Sequence, residues 1–438
     1  MTRSTGPLAR LSSEYSPCYS RAVESTRAGF GPLPDDWRRR HFDPNAPELA
    51  PRMYETLASL RGECPVARSD VYDGFWVVTK YEDVLATAQD WQTYSSAHGL
   101  TVPTAPIAIR NLPVEVDPPV QRVYKRLITP FFTPRAVAAY EEPTRDLVNG
   151  LIDAFIESGS CEFMDEFARP FPSLAFFDMV ISAPPEDIER VAYMASKASL
   201  PNDPEAGECW LGLSAWIRDF IEQRRRRPSR GDVVDAVIAA EIDGRPITDD
   251  EIIGVIQLVI LGGLETTASA LGLWFHRFCA QPEIPARLRA NPRLIPAAVE
   301  ELLRIDSPFI SIARTAVADG TIGDQAVRSG DKVVLYWASA NRDDAEFATP
   351  EEFCPDRESN RHLAFGVGPH RCAGSNLARL NLRIGLEESL RRLRDIRLAD
   401  GADIHFHSTT TRSPLALPIT FTPGSRQTSL RTDFAAAE

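Results

Sequence analysis

The chain has 438 residues and a formal net charge of −13, from 48 Lys+Arg against 61 Asp+Glu. So acidic a balance excludes a general nucleic-acid binder, which needs clustered cations to meet phosphates. At 43% hydrophobic and 25% charged residues the composition is that of an ordinary globular protein, which excludes a fibre or a wholly disordered chain.

Residues 1–30 are rich in Ser, Arg and Gly, without periodicity or an apolar core, and predict a polar N-terminal extension and no secretory signal. Helices are expected over 53–62 and 81–90, with a strand over 75–79 between them. Pro and small apolar residues over 100–113 predict a long loop. A basic amphipathic helix follows over 121–132, then helices over 143–158, 187–198 and 209–227. Thr248 and Glu251 form a capping-box pattern before an apolar run, so the longest helix should start at Thr248 and stop near Gln281, before Pro282. Its apolar stretch is too short to cross a bilayer, which takes about 20 apolar residues. Gly262-Gly263-Leu264-Glu265-Thr266-Thr267 falls in its middle. Two glycines cost roughly 1 kcal/mol each in a helix interior, and a charge and two hydroxyls follow where core is expected. That pattern predicts a helix opened at its buried centre for a ligand. Short strands are expected over 332–336 and 415–421, and 424–438 reads as a polar tail. The sum is a mainly α fold with small β-sheets and one core, over 31–423.

Seven cysteines (Cys18, Cys64, Cys161, Cys209, Cys279, Cys354 and Cys372) include no CxxC pair. Neither a disulfide framework nor a structural zinc cluster is expected, and a reducing cytoplasm suits them.

The densest chemistry lies in Phe365-Gly366-Val367-Gly368-Pro369-His370-Arg371-Cys372-Ala373-Gly374. Glycines let backbone approach a flat cofactor, and a cysteine just before a helix is placed to ligate metal as thiolate. This run resembles the haem-binding loop of the cytochrome P450 family, FGxGxRxCxG, with His370 where Arg is commoner. Thiolate ligation pushes electron density onto haem iron and favours O–O cleavage, a P450 case the general rule itself names. Glu301-Leu302-Leu303-Arg304 puts an acid and a base on one helix face and resembles the family's ExxR pair, with Arg357 as the expected third member of a structural triad. Gly263-Leu264-Glu265-Thr266 resembles the family's acid–alcohol motif, in which Glu265 and Thr266 feed protons through water during O₂ activation. The alternative for these residues is polar side chains bound to their own backbone.

The resemblance, which spans about 42–423, implies the cytochrome P450 fold in a single haem domain holding haem b, with Cys372 as the axial ligand of the iron. Haem contacts would include Phe365, Gly366, His370, Gly374, Arg314 and Gln121, with Lys125 or Arg126 on a propionate. Family position also gives a substrate pocket of Leu258, Leu261, Gly262, Phe309, Ile310, Ile312, Thr410 and Thr411. The implied activity is monooxygenation: one atom of O₂ inserted into a small, mostly apolar organic molecule. Electrons would come from a separate [2Fe-2S] or similar ferredoxin and its NAD(P)H-dependent reductase, in the cytoplasm, without nucleic acid or membrane. Arg122, Lys125 or Arg126, Arg361, Arg371, Arg379 and Arg383 would form a basic face for that acidic donor. An H₂O₂-driven peroxygenase and a haem-thiolate binding protein without turnover are the rival readings.

Overall fold

The computed structural model describes residues 41–105, 109–198 and 203–427, so the expected extension over 1–30 lies outside the described residues. The organising element is the helix Asp249–Ala280, capped by Thr248 and Glu251 in a reciprocal box and ended at Gln281, in front of Pro282. At 1.5 Å per residue it is about 48 Å long and crosses the molecule. It is long and apolar enough to span a membrane, yet most of its apolar surface is buried in the protein core. Helices Pro170–Ala175, Ala206–Arg225 and Ser375–Arg392 pack around it.

The expected break in this helix does not occur: Asp249–Ala280 is continuous through the Gly262-Gly263 pair. One feature offsets the glycine cost. A Cβ at Gly263 would collide with the ring of Phe176, so the bare backbone is what admits that ring. The Thr266 hydroxyl donates to the Gly262 carbonyl (2.9 Å), a local i−4 bond that the helix accommodates without a break. This is the alternative reading of the motif. Further along, a Cβ at Gly254 would run into the carbonyl oxygen of Arg110, and the Leu112 N–H donates to the Gly254 carbonyl (3.1 Å). The loop before Pro113 is therefore seated on the helix by main chain.

The β part is peripheral. A five-stranded sheet runs, in spatial order, Val66–Ser69, Phe75–Val78, Lys332–Leu335, Ile312–Ala316 and Tyr94–Ser95. Only the Phe75–Val78 and Lys332–Leu335 pair is parallel. A three-stranded sheet joins Arg394–Leu398, Pro418–Thr422 and Ser160–Glu162, and a hairpin pairs Phe406–Ser408 with Arg412–Pro414. The hairpin lies along the long helix, where Phe406 meets His276 edge-on at 5.1 Å. Most expected helices are present with ends moved by a few residues. The basic one shortens to Val120–Ile128 and continues as a 3-10 turn over Thr129–Phe132, because Pro130 removes an N–H. Gly424 and Gln427 donate backbone hydrogen bonds to Ile156 and Asp153, so the first residues of the expected tail are fastened to the helix Glu141–Phe155.

Candidate functional site

Beneath the long helix lies a cavity of about 310 Å³, open on one side to Cys372. The loop that brings the cysteine there depends on Gly366 and Gly368, at φ +63° and +66°, values strained for any side chain. The Gly366 N–H donates to Leu363 and the Cys372 N–H to Phe365, both at 2.8 Å, which folds the loop back under its own phenylalanine. Helix Ser375–Arg392 then begins, with Leu377, Leu380 and Ile384 buried on one face as expected. Burial pushes the Cys372 thiol above its ordinary value, against the Gly374 N–H and the charges of Lys125, Arg371 and Arg379. A metal coordinated here would favour the thiolate.

Phe365, Gly366, His370, Cys372 and Gly374 all line this cavity, and so do Gln121, Lys125 and Arg314. The polar groups at this end are short of partners. Arg314 is 3% exposed and its guanidinium donates only to the Ala313 carbonyl (2.8 Å), with no carboxylate in ion-pair range among the described residues. Burial brings it down to about 10, with Asp117 opposing. His370 is pulled down to about 4 by burial and by Arg314, and its Nε2 has no hydrogen-bond partner among the described residues. The same holds for Gln121 Oε1 and Asn381 Oδ1. Lys125 Nζ donates to the carbonyls of Pro369 (2.6 Å) and Arg371 (2.7 Å), whereas Arg126 is exposed and turns its Nε to the Arg122 carbonyl (3.2 Å). The cavity therefore has a soft sulfur ligand below, cationic and neutral donors at one end, and no Asp or Glu among its described lining. Such a donor set fits a flat apolar macrocycle bearing two carboxylates and a metal.

On the long helix the lining residues are 258, 259, 262, 263, 266 and 267. They recur at i, i+1, i+4 and i+5, one face of a 3.6-residue period. Leu258, Gly262 and Thr266 are therefore in place, and Phe309 and Ile312 join them from the segment after the helix Ile295–Ile305. Leu261 and Glu265 are not on that face. Leu261 packs on the core, and Glu265 turns its carboxylate away, toward Ser269 (3.2 Å) and His407 (3.6 Å). Three further pocket residues are displaced. Ile310 is 0% exposed in the core beneath the five-stranded sheet. Thr410 borders a separate small pocket with Asn45 and Ser311. Thr411 is buried, with its hydroxyl 3.4 Å from His407 Nε2. Strict alternation would put 310 on the side of 312, so the exclusion of Ile310 while Phe309 and Ile312 both line the cavity reflects the irregular segment ahead of the strand Ile312–Ala316. Unforeseen lining residues include Phe176, Val259, Gly263, Thr267 and Pro308. The period of the helix was sufficient to find 259, 263 and 267; Phe176, from a distant segment, carried no signal.

The structure also brings Glu301, Arg304 and Arg357 together. Arg304 makes a two-pronged contact with Glu301 (2.8 and 2.9 Å), and Arg357 reaches both oxygens at 3.2 and 3.3 Å. The Cys354 N–H (3.0 Å) and Asn360 (3.1 Å) complete the carboxylate shell. The remaining Arg304 donors go to the carbonyls of Asn341, Pro350 and Glu352. Burial pushes the Glu301 carboxyl up, but Arg304, Arg357 and the Cys354 N–H outweigh it and hold it below the usual range.

The expected basic face is smaller than the sequence implies. Arg379 is tied to Glu300 (2.7 and 2.8 Å), Arg383 to Glu387 and Glu141, and Arg361 to Glu346. Arg122, Arg126 and Arg371 remain exposed, without ion-pair partners among the described residues. The i, i+4 spacing of Arg379 and Arg383 correctly predicts a shared helix face; Glu387 covers Arg383 from the same helix, and that Glu300 and Glu141 join from other helices is a tertiary fact.

Residues 199–400 match the family model described as Cytochrome P450. A steroid C26-monooxygenase of Mycolicibacterium smegmatis is 31% identical over 381 residues, 85% of this chain and 93% of that protein. Nocardicin C N-oxygenase of Nocardia uniformis subsp. tsuyamanensis is 33% identical over 398 residues, 86% of this chain and 97% of that one. Among solved structures, cytochrome P450 CYP109Q5 from Chondromyces apiculatus superimposes with a TM-score of 0.79 at 31% identity, covering 88% of this chain and 99% of that one.

Proposed function

The chain belongs to the cytochrome P450 family of monooxygenases, and from that premise we propose that it inserts one oxygen atom from O₂ into a small, mostly apolar organic molecule, using haem b held by Cys372. The observation that carries this reading is the cavity itself: one cysteine sulfur, Arg314, His370, Lys125 and Gln121 converge on a space with no acid in its described lining. Haem, when bound there, supplies the O₂ activation that no protein side chain can perform. The chain's own residues do the rest. Cys372 would ligate the iron; Arg314 and His370 would meet the propionates, with Lys125 rather than Arg126 as the third contact because only Lys125 lines the cavity. Phe176, Leu258, Val259, Phe309 and Ile312 bind and orient an apolar substrate and exclude water. Thr266 borders the cavity and is placed to hold a water there, and Glu265, whose carboxylate lies at Ser269 and His407, supplies that water's proton after a change of rotamer.

Electrons come from a ferredoxin and its NAD(P)H-dependent reductase in the cytoplasm, where the free cysteines stay reduced. Arg122, Arg126 and Arg371, beside the cysteine loop, are the cations left to steer an acidic donor.

The test is spectroscopic and then chemical. The reduced carbonyl complex should show the absorption band that gives the family its name. Cys372→His should retain haem, lose that band and lose substrate-dependent O₂ consumption. A band that survives the substitution would assign the ligand to another residue and overturn the reading.

A further inference from the structure

Away from the cavity, a second buried arginine lacks a counter-charge. Arg412, on the strand Arg412–Pro414, is 6% exposed. One of its terminal nitrogens donates to the Ala50 carbonyl (3.2 Å). Its Nε has no hydrogen-bond partner, and no carboxylate lies in ion-pair range, among the described residues. The guanidinium stands 3.9 Å from the ring centre of Phe406 and 5.2 Å from that of Tyr54. The Tyr54 hydroxyl is buried as well, and it too has no partner among the described residues. Arg342 stands 3.7 Å from the same Tyr54 ring. The acid in this cluster, Asp306, is committed elsewhere: Arg277 grips both of its oxygens and Arg342 reaches it at 3.4 Å. Glu351, which pairs with Arg342, is 58% exposed. Three guanidinium groups thus share two carboxylates, one of them wet. Burial pulls Arg412 below its ordinary value, against Tyr54 and Asp306. His276, edge-on to Phe406, is held below its ordinary value by burial and by Arg412, so it brings no further charge. Buried donors are nearly always paired, and a buried charge is normally matched.

We propose that Arg412 Nε and the Tyr54 hydroxyl bind one small monovalent anion of the halide kind. Both groups can donate, and the cluster is one negative charge short of balance, so the missing partner is an acceptor with a single charge. The Ala50 carbonyl already takes one prong of the Arg412 fork. That disfavours a carboxylate gripped by two parallel bonds and suits a spherical ion that needs only one. The rings of Phe406 and Tyr54 keep water from the guanidinium, and an ionic contact there is stronger than in solvent. Neither Arg412 nor Tyr54 lines the cavity, so the site is distinct from it. Its strand is nevertheless bonded to the cavity wall: the Arg412 N–H donates to the Pro308 carbonyl (2.9 Å), the Ile310 N–H donates to the Thr410 carbonyl (2.8 Å), and Pro308 and Phe309 border the cavity. The anion therefore fastens the strand that backs this wall.

The test uses the haem-loaded enzyme, so that Arg314 does not compete for anions, and its probes are sodium bromide and sodium chloride. Crystals soaked in bromide should give an anomalous peak within hydrogen-bonding reach of Arg412 Nε and the Tyr54 hydroxyl. In solution, chloride in place of gluconate at constant ionic strength should raise the melting temperature along a saturating curve, as a ligand bound only by the folded state does. Screening alone would not tell the two salts apart. Arg412→Leu should abolish the chloride dependence. Tyr54→Phe, which keeps the ring and removes one donor, should move the chloride midpoint up about tenfold, the worth of a hydrogen bond to a charged group. If Arg412→Leu does not fold, Tyr54→Phe and the bromide peak decide by themselves. No bromide at this place under saturating halide overturns the proposal, because water then suffices for the two donors. A wild type that melts alike in both salts overturns it as well. So does a chloride dependence that the variants retain in full, which would put the effective anion elsewhere.

Discussion

Arg304 and Arg314 stand ten positions apart, and both are buried, at 0% and 3% exposed. Arg304 spends its donors on Glu301 and three backbone carbonyls and is complete within the polypeptide. Arg314 has one carbonyl and no acid. A buried cation without a counter-charge is unfavourable by several kcal/mol unless something supplies the missing charge. The first site is finished by folding alone; the second is finished by a ligand. Structural and functional charges in one protein can be told apart by asking which of them the chain itself satisfies.

Substitutions should separate the two sites sharply. Arg304→Leu leaves Glu301 ionised and enclosed, so it should cost roughly 3–5 kcal/mol of stability with or without haem, measured by denaturant unfolding of both forms. Arg314→Leu should do the reverse. The haem-free chain should be as stable as wild type or more so, while haem affinity drops about tenfold or more, the worth of a lost charge-assisted hydrogen bond, read by transfer to a competing apoprotein. Equal destabilisation of the haem-free forms would erase the distinction between saturated and bare arginine.

Thr266 falls between these cases, because its hydroxyl proton is already committed to Gly262 while the residue still borders the cavity. Thr266→Ala should leave stability nearly unchanged and reduce product per NAD(P)H on the order of tenfold, with H₂O₂ making up the difference. Thr267 also lines the cavity, and Thr267→Ala should be milder. The reverse order of the two would move the functional hydroxyl by one residue.

The smallest effect belongs to Glu300, neighbour of the finished site. Burial alone would raise its carboxyl, but hydrogen bonds from His362 and Arg379 prevail and bring it down to about 2 from an ordinary 4.5. Its ionised form therefore stabilises the fold fully above pH of about 4.5, and that contribution is lost as pH falls toward about 2. The stability gap between wild type and Glu300→Gln should be constant near neutrality and close over that acid window. A gap that widens on acidification would contradict the assignment.

The parts of this molecule that a sequence reader can see are those written locally. The Thr248–Glu251 box placed a helix start, Pro282 a helix stop, and the glycine–cysteine loop a thiol at the cavity wall, because each rests on neighbours a few positions apart. What stayed hidden depends on distant partners. Phe176 tucks against Gly263 and keeps the long helix whole where the glycine pair suggested a break. Glu300, Glu141 and Glu346 neutralise arginines that look free on paper. The direction of Glu265 was half legible: a helical period sets it about 100° from Thr266, but which neighbour it meets depends on a hairpin some 140 residues away.

The seat of the Arg110–Leu112 loop on Gly254 has a consequence for the speed of exchange rather than for affinity. Pro113 and Val114, next in the chain, border the cavity, so that loop forms part of its roof. Loop and helix meet through the Leu112 N–H on the Gly254 carbonyl and through the Gln257 side chain, which donates to Asn111 Oδ1 (3.3 Å). Opening the roof thus means parting the main-chain contact and the Gln257–Asn111 hydrogen bond together, one event that admits a guest and lets a product go. A methyl group at position 254 would act as a doorstop: entry and exit should both quicken, while the equilibrium between bound and free guest stays nearly where it was.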